Sequence, residues 1–123
     1  MQQLLFEDAW DRTIADEDRA EIIRLFTESA DRGERFIPVR AAINHRGDLL
    51  VTAIVQNTST RVSEFKNKQV VYEEAGELVA EHLFSVDQLN LPPETSMPWT
   101  LIFPIRTIQE KPQLNGLLRE LNG

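Results

Sequence analysis

A chain of 123 residues, 41% hydrophobic and 27% charged, is sized for one globular domain with a core of its own. Its 20 acidic residues against 13 basic ones give a net charge of −7, which disfavours a phosphate backbone and allows a basic partner. The lack of cysteine excludes disulfides, thiolate catalysis and zinc–thiolate sites, and no apolar run approaches the ~18 residues of a membrane span.

The N-terminus, Met1-Gln2-Gln3-Leu4-Leu5-Phe6, lacks the basic and long apolar regions of a conventional signal peptide, so the expected location is the cytoplasm, with the cell envelope open to unconventional export. Residues 1–33 read as an arm followed by a helix. Leu4, Leu5, Phe6 and Trp10 suggest a short strand or a segment lying on the domain. Thr13 offers an N-cap, Asp16, Glu17 and Asp18 crowd a first turn, and Ile22, Ile23, Phe26 and Ala30 recur at helical spacing. With Arg32-Gly33 as the stop, these predict a helix over 15–31.

After Gly33 the period changes to two. Ile37, Val39, Ala41 and Ile43 alternate with Pro38, Arg40, Ala42 and Asn44, a turn follows at His45-Arg46-Gly47-Asp48, and 49–56 is the return strand. That strand is apolar on both faces, which places it centrally with the helix as cover for one side. Asn57–Thr60 is a polar turn and Arg61–Phe65 a short, weak strand. A second hairpin, 70–73 with 78–84, turns about Glu74-Ala75-Gly76-Glu77. Leu89–Pro93 is extended and proline-bound to an edge or crossing. Trp99, Leu101 and Phe103 point inward, and Pro104 ends the strand. Leucines at 114, 117, 118 and 121 have helical spacing, so a short C-terminal helix is expected in the tail 105–123. The sum is one mainly β domain over 1–123, an immunoglobulin-like antiparallel sandwich at 34–104 with an N-terminal helix.

Motifs for chemistry are sparse. Glu81 and His82 are strand neighbours pointing to opposite faces, so they cannot clasp one ion, and His82 is expected to find a backbone or hydroxyl partner. No nucleophile elbow and no glycine-rich phosphate loop is present. No metal, cofactor or catalytic residue is assigned, and the protein is expected not to be an enzyme. Arg46-Gly47-Asp48 matches an integrin-recognition tripeptide but fits a hairpin turn, and Asn57-Thr58-Ser59 matches a glycosylation acceptor but fits a polar turn. Trp99, Tyr72 and Phe103 read as core. Met97 and Pro98, and the edge at Arg61 and Phe65, remain as a partner-binding surface, since an open strand edge can accept a partner.

One resemblance organises these features. Phe6-Glu7-Asp8-Ala9-Trp10-Asp11 ahead of a helix, the run from Ile37 to Thr52, the run from Val71 to His82, and Leu91-Pro92-Pro93-Glu94-Thr95-Ser96-Met97-Pro98-Trp99-Thr100 together resemble the SLAP domain, across about residues 4–108. That is the module of the accessory Sec system S-layer assembly protein of Bacillus-type Firmicutes. The resemblance implies a non-enzymatic helper working by protein–protein contact in S-layer secretion or assembly. Its implied partners are an S-layer protein or a component of the accessory Sec translocase, with no nucleic acid. A homodimer through a sheet edge is allowed. Alternatives are a cell-surface or wall-associated structural domain and a small-ligand-binding protein. The family carries the module in duplicate within longer chains, whereas a single copy stands here, and its motifs supply no ligand residues to transfer.

Overall fold

In the computed structural model, which describes residues 1–121, two β-sheets face each other across a shared core, with a helix on the outer face of the larger one. The four-stranded sheet has the order β1 (Gln3–Leu4), β6 (Thr95–Phe103), β3 (Leu49–Asn57), β2 (Phe36–Ile43). The three-stranded sheet runs β5 (Glu77–Phe84), β4 (Lys68–Glu74), β7 (Leu117–Glu120). All pairings are antiparallel except β1 with β6, a two-residue parallel contact.

Strand β3 is central, as its two apolar faces require. Leu49, Val51, Ala53 and Val55 enter the inter-sheet core with Leu101 and Phe103 of β6 and with Val70, Tyr72, Val79, Ala80 and Phe84 of the opposite sheet. Ile54 faces the other way and meets Ile37 and Ile22, the last from helix α2 (Asp16–Ser29). Burying three such side chains beyond reach of water contributes about 5–8 kcal/mol of apolar transfer. The helix ends through a 3₁₀ turn at Ala30–Arg32, with Gly33 left-handed at φ 73°.

The even alternation expected along β2 breaks at a bulge between Pro38 and Arg40. Ile37 and Val39 face α2, whereas Ala41 packs into the inter-sheet core. One extra residue reverses which side chains face the core, because side-chain period in a strand is two. The bulge also brings Arg40 over the helix start, where it donates to Asp18 at 2.8 Å.

Thr13 does not cap α2. It ends a separate helix, α1 (Asp8–Thr13), and its hydroxyl donates back to the Ala9 carbonyl. The cap of α1 is Glu7, whose carboxylate accepts from the N–H groups of Ala9 (2.7 Å) and Trp10 (3.1 Å). Helix α1 carries Trp10 onto Trp99, ring centroids 6.1 Å apart, so Trp99 is half-buried under another indole rather than sealed in the core with Leu101 and Phe103. Removing that stack by Trp10→Ala is expected to cost about 1–2 kcal/mol in chemical denaturation. An unchanged midpoint would show α1 to be undocked in solution.

Residues Arg61–Phe65 form no sheet strand. They are pinned to the loop 86–91 by reciprocal Ser63–Leu91 backbone bonds of 2.9 Å and by Val86 N–H donating to Phe65 O. The C-terminal leucines are not helical either: after a 3₁₀ turn at Ile105–Thr107 the chain crosses to pair β7 with β4. The tail expected to lie outside the sandwich therefore completes it, up to Leu121; Asn122 and Gly123 lie outside the described residues.

A proline interrupts each open side of the larger sheet, Pro98 on β6 where it runs past the short β1 and Pro38 on β2. The N–H groups of Gln3 and Leu5 donate to Glu94 O and Ser96 O, so even-numbered residues of β6 point their main chain outward. Pro98 is the next rung and has no N–H, which stops the β1 ladder there. On the opposite edge Pro38 sits at the bulge. Prolines placed so blunt an edge against further strands.

Candidate interaction surface

The four residues expected to meet a partner divide sharply. Arg61 is exposed and Met97 half-buried against the core, but Phe65 is only 1% exposed and Pro98 is buried. Phe65 is drawn in because its N–H donates to Asn90 Oδ1 at 2.7 Å and its ring lies under the Arg35 guanidinium, 5.4 Å from the ring centre. Pro98 pairs with Ile54 on the helix-covered face. Neither can offer a docking surface in this fold.

The recognition-like motifs are spent on local structure. Asn44 Oδ1 accepts from the N–H groups of Arg46 and Asp48, and Asp48 turns inward to accept the Ile105 N–H at 2.9 Å. Arg46 is exposed and lies 3.8 Å from the Asp48 carboxylate, which is turned inward, so the two charges face each other and are not displayed to a partner. Asn57 is 3% exposed. Its amide donates to the carbonyls of Arg61, Leu91 and Pro92 and its Oδ1 accepts from Ser59, which ties together the turn the sequence predicts there. It is a structural hub that no glycosylating enzyme could reach in the folded protein.

His82 has an aromatic edge rather than a hydroxyl beside it, with the Phe84 ring 4.9 Å away in a T-shaped contact. Burial, then the charge of Arg106, pushes its pKa below the usual 6.5. The Ile105 N–H, then the Asn44 amide, hold the Asp48 carboxyl below the usual 3.8, and the Arg119 guanidinium does the same for Glu73 against 4.5. All three shifts favour the deprotonated form in the folded state, so the unfolded chain binds more protons on acidification. Stability should begin to fall as pH drops below 6.5, through His82, and fall further below about 4.5, through the two carboxylates. Denaturant midpoints across pH test this, and His82→Gln should flatten only the first part; a profile flat down to about pH 5 in the native protein would refute it.

What remains open is apolar. Ile43, Ile102 and Ile105 are 43%, 48% and 58% exposed at one end of the sandwich, and Leu117 on β7 is 61% exposed. Ile43, Gly47, Ile105, Ile108 and Pro112, together with the polar residues Gln109, Glu110 and Lys111, line an open groove there of about 450 Å³. Among the described residues no three His, Asp or Glu side chains converge as metal ligands, and no helix is long and apolar enough to cross a membrane. Sequence reasoning missed Ile105 and Leu117 because exposure of an apolar residue is visible only once the core is assigned.

The family model described as the SLAP domain matches residues 4–116, from the first strand to the residue before β7. The chain belongs to the SLAP domain family. Neither a curated protein nor a solved structure gives a match. The matched span contains both helices, strands β2 to β6 and the second residue of β1, and the hairpin tip with Ile43 and Gly47. The SLAP domain here is therefore the sandwich itself, and the apolar end is part of it.

Proposed function

We propose that this SLAP domain is a non-enzymatic protein-binding module that assists S-layer protein secretion or assembly through the accessory Sec pathway, acting on the cytoplasmic side before export. The family match over residues 4–116 carries the reading. The surface supports it: three of the exposed large apolar side chains, Ile43, Ile102 and Ile105, lie at one end of the sandwich, and isoleucines around an open groove suit a peptide or protein surface better than a small polar substrate. The net charge of −7 would steer a basic partner and slow an acidic one.

The test is affinity capture of the tagged protein from its host, with the Ile105→Glu variant beside it. Enrichment of an S-layer protein or an accessory Sec translocase component, lost in the variant, supports the reading. Enrichment of neither, in cells making both, overturns it. Recovery of the protein itself in the wall fraction would favour a cell-surface structural role instead.

A further inference from the structure

Strand β7 is four residues long, lies at a sheet edge and pairs with a single strand, β4. One of its side chains, Leu118, packs into the core opposite Tyr72. The rest of its hold is polar and specific. Arg119 donates twice to Glu73, at 3.0 and 3.1 Å. Glu120 meets Arg35 at 3.2 Å and Lys68 at 3.8 Å. The Leu121 N–H donates to Gln69 O at 2.8 Å. The charged side chains of the strand are thus matched diagonally to Glu73 and Lys68 of β4, and to Arg35. Any strand of the same sequence would fit as well, whichever molecule supplied it.

The connection to β7 carries backbone strain. Leu114 sits in the left-handed region at φ 69°, a conformation costly for a residue with a branched side chain. It is held there by Glu74, whose carboxylate accepts from the N–H groups of Gln113 and Leu114. Gly116 follows, in contact with the β4 backbone through its missing side chain. A strained hinge before an edge strand is relieved when the hinge extends, and extension delivers the strand to a second molecule without loss of any strand contact. The family match stops at Gly116, so the acceptor edge of β4 lies inside it and the occupant outside.

We propose that β7 exchanges between two copies of this chain, so that residues 117–121 of each fill the β4 edge of the other. The exchanged dimer keeps the Leu118, Arg119 and Glu120 contacts and releases Leu114 from its left-handed turn. The prolines at 38 and 98 direct association to this edge by blunting the larger sheet. The dimer would present the apolar Ile43–Ile105 end twice. The inference stands whether or not the secretion reading does.

Two variants with reversed charge decide it. In Glu73→Arg and in Arg119→Glu, the closed monomer and the like-with-like dimer both place equal charges at this diagonal pair. Mixed together, the two variants place opposite charges at both 73–119 pairs only if the strands are exchanged. Co-refolding them should yield about tenfold more dimer by light scattering than either alone. Wild-type protein refolded at high concentration should also give a dimer fraction, increased by Glu74→Ala, which frees the hinge, and absent in a chain cut after Gly116. Monomers alone from both the mixture and the concentrated wild type, or a dimer that survives the cut, would overturn the proposal.

Discussion

Gly116→Ala is expected to cost about 2–4 kcal/mol, lowering Tm by about 10 °C. A Cβ at this position would run into the Glu73 carbonyl oxygen, and would lie 2.7 Å from Tyr72 Cζ and 2.8 Å from Glu74 Cγ. The carbonyl is sheet backbone and Tyr72 is fully buried, so neither can step aside without unseating β7. The Gly116 N–H also donates to the Tyr72 hydroxyl at 2.9 Å, and that hydroxyl donates on to Glu74. Gly33→Ala makes the contrast. Nothing lies within 4 Å of a Cβ there, and its φ of 73° alone should cost about 1 kcal/mol. Thermal melts of the two variants would separate crowding from backbone strain; equal losses would mean that β7 is not seated as described.

Asn57→Ala should be of similar size, about 3 kcal/mol, for a different reason. The mutation removes a donor that satisfies three carbonyls at 2.7–3.0 Å, and an acceptor for the Ser59 N–H and hydroxyl. The Leu91 carbonyl keeps its bond from the Ser63 N–H, but the second bond, made in a site closed to water, has no ready replacement. Asn57→Asp should be worse than alanine, since it points carboxylate oxygen at carbonyl oxygen. Urea titration reads both. A loss below about 1 kcal/mol for alanine would show that solvent enters the loop and takes over the bonds.

The sandwich was legible where turn chemistry and strand period agreed. Ala75 and Gly76 at φ 50° and 80° make the tight hairpin their position predicts, and Asn44 to Asp48 closes the other. The two-sided apolarity of Leu49–Val55 placed β3 at the centre. Misreadings arose where one signal hid another. Helical spacing of the last leucines masked the turn signal in Asn115-Gly116, which breaks a helix and starts β7. The bulge at Pro38–Arg40 cannot be seen in an alternation that looks unbroken. Glu7 is not among the usual capping residues, so α1 passed unnoticed. For the surface, Phe65 in a polar stretch looked available, yet a 25-residue-distant amide, Asn90, pulls its backbone inward. Long-range partners of that kind leave no local mark.

The hydrogen bond between the Gly116 N–H and Tyr72 has a consequence for how the protein ages. Asn-Gly is the order in which a backbone nitrogen most readily attacks the preceding side-chain amide, expelling ammonia and leaving aspartate or isoaspartate after hydrolysis. At Asn115 the attacking nitrogen is already committed to a buried phenol and held in one orientation. Folding thus protects a bond that the unfolded chain would lose, and the clock for deamidation at position 115 runs at the rate at which β7 lets go.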